Sequence, residues 1–127
     1  MGGPCDCFGP QAEWSLNVFK KILVLCIGNI CRSPTAEYLL RQRLAGRDIQ
    51  VASAGLGALI GHPVEAHAMT LLREHDIDAA THRARKVDAV MLREAELVLG
   101  MERRHLTAAA RLDLEASRYS CLMRKWG

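Results

Sequence analysis

The run Cys26-Ile27-Gly28-Asn29-Ile30-Cys31-Arg32-Ser33-Pro34 places a thiol, a five-residue spacer, an arginine and a hydroxyl within one short stretch of chain. That spacing suits phosphate chemistry. Where such a stretch leads into a helix, the unsatisfied N–H groups of the first turn and the positive end of the dipole make an anion site. A tight loop whose successive amides point inward adds a nest for phosphate oxygens. Gly28 and Asn29 are residue types that tolerate the left-handed backbone expected there. Arg32 can hold two phosphate oxygens with its planar fork, which a lysine cannot. Cys26 stands at the mouth of the cradle, where the dipole and Arg32 favour its thiolate. Ser33 can donate its hydroxyl to that sulfur if helix capping does not consume it. The chemistry implied is nucleophilic attack on phosphorus, giving a phosphocysteine intermediate. A bare C-x5-R also arises by chance around inert buried thiols; Gly-Asn, Arg-Ser-Pro and the flanking elements set this one apart.

Such a loop needs a strand behind it and a helix ahead. Residues 22–25 form a near-continuous apolar run, the pattern of a buried parallel strand. Ser33 and Pro34 read as the N-cap and first residue of a helix. That helix sets Ala36, Leu39, Leu40 and Leu44 on one face and stops near Gly46. A second strand is predicted over residues 49–52, then a glycine-rich loop over 53–61. A second helix is predicted over 63–75, with Val64, Ala68, Leu71 and Leu72 inward, then a short helix within 87–93 and a third strand within 96–101. Strands alternating with helices predict an α/β fold with a parallel sheet. Past His105 the pattern weakens: residues 106–111 read as a turn or two of helix, and 112–127 show no convincing strand. Residues 1–18 have neither period and read as a disordered leader or a start codon placed too early. The expected division is a leader over 1–18, one domain over 19–111 and an irregular tail over 112–127.

A chain of 127 residues, half of them hydrophobic and 24% charged, is a single globular domain rather than a disordered segment. Its 17 basic and 14 acidic residues leave a net +3, too mild for a nucleic-acid partner, and 5% aromatic residues are too few for base-stacking platforms. No apolar run approaches the roughly 20 residues of a membrane helix. The first residues lack the basic and apolar segments of a secretory signal, and Asp6 breaks the myristoylation pattern. These features point to a soluble cytoplasmic chain with no membrane partner. The five cysteines, Cys5, Cys7, Cys26, Cys31 and Cys121, form no paired zinc spacing and read as free thiols. His62, His67, His75, His82 and His105 lack metal-ligand spacing and read as surface or turn residues, so neither metal nor cofactor is expected. Arg83, Arg85 and Lys86 read as a solvated basic face that could receive an acidic partner. Gly55, Gly57 and Gly61 read as loop flexibility.

The block Val24-Leu25-Cys26-Ile27-Gly28-Asn29-Ile30-Cys31-Arg32-Ser33-Pro34-Thr35-Ala36-Glu37 resembles the signature of the low-molecular-weight protein tyrosine phosphatases. It is most similar to the bacterial branch associated with exopolysaccharide tyrosine kinases. The resemblance continues through Ser53-Ala54-Gly55-Leu56-Gly57-Ala58, His82-Arg83-Ala84-Arg85 and Leu99-Gly100-Met101-Glu102-Arg103-Arg104-His105. It implies a small parallel sheet flanked by helices, flavodoxin-like in strand order, and hydrolysis of phosphotyrosine in proteins. A bacterial tyrosine kinase would be the partner and inorganic phosphate the product. By resemblance, Cys26 is the nucleophile, Arg32 the phosphate clamp, Asn29 a loop-shaping residue and Ser33 a thiolate partner. The phosphate loop is then Ile27, Gly28, Asn29, Ile30, Cys31 and Arg32. Cys31 reads either as a redox partner that closes a protective disulfide with Cys26 or as a small packing residue. Members of the family take a general acid from an Asp-Pro loop and close with a long helix. This chain has no Asp-Pro dipeptide, and no general acid is identified; Asp113 and Glu115 are the substitutes left to consider. The last strand and helix are therefore expected to be missing, from a truncated or frame-shifted end. Two other readings stay open. One is a thiol-dependent arsenate reductase of the same fold, which would need resolving cysteines not found between Cys31 and Cys121. The other is a phosphate-binding fragment with little turnover.

Overall fold

The structure is a computed structural model and describes residues 20–113 and 120–122. Along β1, Lys21–Cys26, side chains alternate between the two faces of the sheet. Ile22 and Val24 pack with Ala36, Leu40, Leu44, Val51, Leu97 and Leu99 on one side. Leu23 and Leu25 pack with Ala54, Val87, Leu92, Val98 and Ala109 on the other. A strand covered on both faces has no polar side to show, which is why it reads as an unbroken apolar run.

Both neighbours of β1 run parallel to it. β2, Gln50–Gly55, pairs from Lys21↔Gln50 to Cys26↔Gly55, and β3, Leu97–Gly100, pairs from Ile22↔Leu97 to Leu25↔Gly100. A short β4, Ser120–Leu122, lies parallel to β3 at the edge, giving the order β2-β1-β3-β4. The helices are α1 (Arg32–Arg43), α2 (Ala66–Glu74), α3 (Ala89–Glu94) and α4 (Arg103–Leu112). Because β1 connects to β2 on one side and lies against β3 on the other, the order reverses between β1 and β3. The loops after the carboxyl ends of those two strands therefore border one crevice. No helix among the described residues is long and apolar enough to cross a membrane.

Several boundaries differ from the sequence reading. β2 continues through Ser53, Ala54 and Gly55, which read as loop because three small residues carry no strand signal. The second helix begins at Ala66, where the carboxylate of Glu65 accepts the N–H groups of His67 and Ala68. α1 begins at Arg32 with Cys31 as its N-cap residue, so Ser33 is not the cap and Pro34 sits within the first turn. The absence of a strand after residue 112 is corrected by β4: three residues on a parallel edge are too short to show periodicity. Residues 1–18, Phe19 and Glu115 lie outside the described residues.

Candidate active site

The backbone of the loop after β1 can be accounted for carbonyl by carbonyl. Cys26, Ile27 and Gly28 accept from the N–H groups of Leu56, Gly57 and Leu59 at 2.9, 2.9 and 3.0 Å. The Asn29 carbonyl accepts from His82 Nε2 at 3.0 Å and the Ile30 carbonyl from the Glu65 N–H at 2.7 Å. Cys31 accepts from both the N–H and the hydroxyl of Thr35. Every carbonyl from Cys26 to Cys31 is thus turned outward and held. None of the N–H groups of residues 27–31 donates to a backbone carbonyl among the described residues. A tight loop with its carbonyls outside presents its amides inside, which is the geometry of an anion nest. Asn29 makes the turn with φ +59°; Gly28 has no positive φ, so of the two expected turn residues only Asn29 takes the left-handed backbone.

Hydrogen-bond donors fix the polarity of the buried side chains. The Arg85 N–H donates to Asn29 Oδ1 at 2.9 Å, which sets the amide so that Nδ2 donates to Ser33 Oγ at 2.8 Å and Ser53 Oγ at 2.9 Å. Ser53 passes its own proton to Glu37 Oε1 at 2.6 Å, and Glu37 is gripped in turn by Arg41. Ser33 Oγ accepts from Asn29 and lies 3.0 Å from Cys26 Sγ; toward a thiolate, which can only accept, the hydroxyl is the donor. Cys26, Asn29 and Ser33 are all buried. The site therefore aims a hydroxyl at a sulfur in a pocket closed on its protein side, an arrangement suited to a thiolate.

Across the crevice, Glu102 follows β3. Its carboxylate takes Arg32 Nη1 at 2.8 Å and Arg104 Nε at 2.8 Å, and the Arg32 hydrogen bond holds it below the usual carboxylate range. His105 is buried, and its burial, with Arg32 nearby, pushes the imidazole below its usual range. On the other flank, the ring of His67 bonds Glu65 and lowers that carboxyl as well. Cys31 is exposed, yet partial desolvation of its thiol, with Glu65 and then Cys26 beside it, pushes Cys31 up, so it rests as a thiol. Among the described residues no three His, Cys, Asp or Glu side chains converge as a metal site would require.

All the loop residues singled out in the sequence are brought to this one place. Other residues do more than their sequence context implies. His62, His67 and His75 are exposed, but His82 and His105 are buried, one holding the loop and the other beside Glu102. Arg85 is not merely solvated: its N–H orients Asn29 and its Nε donates to the Ser53 carbonyl at 3.0 Å. Gly55 is not a flexible joint. A Cβ there would lie 2.3 Å from the Ile27 carbonyl oxygen, so only glycine lets β2 approach the loop backbone. Glu102 carried no periodic signal; its place immediately after β3, at the switch point, is the clue that could have found it. Asp113 ends α4 and pairs with Arg93 of α3 at 3.3 Å. α3 leads into β3 and α4 leads away from it, so this pair lies at the edge of the sheet opposite Cys26.

The sequence profile described as low molecular weight phosphotyrosine protein phosphatase matches residues 21–126, a span that includes β4. The chain belongs to this family. The low molecular weight protein-tyrosine-phosphatase Wzb of Salmonella typhi is 42% identical over 109 residues, which is 86% of this chain and 72% of that protein. The probable low molecular weight protein-tyrosine-phosphatase EpsP of Ralstonia solanacearum is 45% identical over 94 residues, 72% of this chain and 63% of its own length. This chain thus spans between 63% and 72% of the length of these two phosphatases. Among solved structures, Vibrio vulnificus Wzb in complex with benzylphosphonate superimposes with a TM-score of 0.79 at 37% identity, over 85% of this chain and 75% of that one.

Proposed function

We propose that this chain hydrolyses phosphotyrosine in proteins through a phosphocysteine on Cys26. The observation that carries the reading is the loop with all its carbonyls held outward around a sulfur 3.0 Å from the Ser33 hydroxyl. The inward amides and the Arg32 fork would hold the three non-bridging oxygens, placing phosphorus in line with Cys26 Sγ. The thiolate forms the S–P bond as the phenolate oxygen departs with its electron pair. Water then attacks phosphorus, the S–P bond breaks back to thiolate, and inorganic phosphate leaves. Ser33 stabilises the sulfur whenever it carries negative charge, before attack and again as it is expelled. Ile27 and Leu59, exposed beside the loop, offer apolar surface for an aromatic ring. This agrees with the complex of Vibrio vulnificus Wzb, whose ligand, benzylphosphonate, joins an aromatic ring to a phosphonate. No cofactor is needed. The resemblance of residues 24–37 nominates a bacterial tyrosine kinase of exopolysaccharide production as the partner, in the cytoplasm.

The test is a pair of substitutions assayed on an aryl phosphate. Cys26→Ser is expected to abolish turnover while inorganic phosphate still binds, since a serine hydroxyl stays protonated at neutral pH. Arg32→Lys is expected to lose most activity because a point charge cannot reproduce the fork. Unchanged turnover in either variant refutes the assignment.

A further inference from the structure

Glu102 reaches the clamp because of how α4 begins. Its backbone is extended, φ −139° and ψ 156°, and its N–H donates to His105 Nδ1 at 3.1 Å. The His105 N–H returns to the Glu102 carbonyl at 2.9 Å. From this turn the carboxylate lies between two arginines, Oε2 on Arg32 and Oε1 on Arg104. His105 is sealed from solvent, and its Nε2 has no partner among the described residues. An imidazole that accepts at Nδ1 carries its hydrogen on Nε2, so this ring buries an unmatched donor. A leucine would fill the same space without that cost. What a leucine could not do is accept the Glu102 N–H, and the mechanism above gives the histidine no other task.

We propose that His105 is a positioning residue for the phosphate clamp: its Nδ1 fixes the first turn of α4, the turn aims Glu102, and Glu102 holds Arg32 toward the cradle. The turnover readout rests on the phosphatase reading, whereas Arg32's hold on phosphate does not. Arg32 is long and about half exposed (47%), so without a tether it samples many rotamers away from the loop. Glu102 takes only Nη1, which leaves Nη2 and Nε for phosphate oxygens. Burial and the neighbouring arginines keep the imidazole neutral, so the accepting lone pair is present at neutral pH.

His105→Leu is the perturbation, read by kcat and KM on an aryl phosphate and by calorimetric binding of inorganic phosphate. Misplacement of the clamp is expected to lower kcat and phosphate affinity by about ten- to a hundred-fold, with a thermal midpoint close to the parent's, since the freed Glu102 N–H offsets the unmatched Nε2–H that is removed. His105→Gln, whose side-chain oxygen can reach back to the same N–H as in a capping box, is expected to recover most of the loss. Glu102→Gln added to His105→Leu should cost little more than either change alone, since both break one relay. Additive losses, or a His105→Leu protein with parental kcat and phosphate affinity, overturn the proposal. If His105→Leu does not fold, the nitrogen-15 spectrum of the wild-type imidazole decides: an unprotonated Nδ1 supports the proposal and a protonated Nδ1 overturns it. A parent that binds phosphate without turning over aryl phosphate refutes the phosphatase reading, and the phosphate affinities of the variants then judge His105.

Discussion

Ser33→Ala removes one oxygen from a fully buried position and should separate chemistry from scaffolding. The hydroxyl accepts from Asn29 Nδ2 and, once Cys26 is a thiolate, donates to its Sγ, so its loss has two consequences. A hydrogen bond to a charged group contributes about 1.5–3 kcal/mol. Because that bond is aimed at the thiolate that attacks and is later expelled, we expect kcat to fall by about ten- to 150-fold. Asn29 Nδ2 also loses one of its two acceptors while keeping Ser53. An unsatisfied buried donor costs about 1–3 kcal/mol, which should appear as reduced stability in urea. The assay is steady-state hydrolysis of an activated aryl phosphate, alongside the rate of alkylation by iodoacetate, which reports thiolate directly. We expect turnover and alkylation at neutral pH to fall together. A protein destabilised by the full amount but unchanged in both rates would show that Ser33 only props up Asn29, and the reasoning about proton direction would be wrong.

Gly55→Ala drives a Cβ to within 2.3 Å of the Ile27 carbonyl oxygen; a stability loss of about 1–3 kcal/mol and a fall in kcat on the order of a hundred-fold are expected. Gly57→Ala, whose Cβ meets Ile27 Cγ2 at an ordinary 3.5 Å, should stay close to the parent, and equal behaviour of the two would refute the close-approach argument. Turnover should depend steeply on the leaving group, since Glu65 and Glu102 are both held ionised and Asp113 lies at the opposite edge. Across aryl phosphates of rising phenol pKa, phosphotyrosine should lag an activated ester by up to the roughly 10²–10⁴-fold that a general acid contributes; a flat series would mean that another group, such as Glu115, supplies the proton. Peroxide should inactivate reversibly, oxidising Cys26 to a sulfenic acid that Cys31 converts to a disulfide with loss of water. Because Cys31 is held as a thiol, closure should quicken as pH rises; mass spectra showing only sulfinic or sulfonic Cys26 would exclude this route.

Local sequence determined the parts whose physics is local. The apolar run before Cys26 requires cover on both faces, Asn29 tolerates the left-handed turn, and the thiol, arginine and serine follow one another within a single loop. Those features made the parallel sheet and the family legible without coordinates, and they nominate the cradle and the reaction proposed above. Tertiary structure decided what depends on contacts distant in sequence. Ser33 was free for Cys26 only because α1 takes Cys31 as its N-cap residue. Ser53 to Gly55 became strand because small side chains let β2 pass under the loop, a fact set by the Ile27 carbonyl rather than by propensity. Glu102 met Arg32 across 70 residues of sequence because the strand order reverses between β1 and β3. β4 leaves no sequence pattern because three paired residues draw their order from the neighbouring strand and too little of it from themselves. Reactive groups gathered in one loop are written in order along the chain, whereas the groups that hold them in place come from whichever elements the sheet topology brings to the same edge.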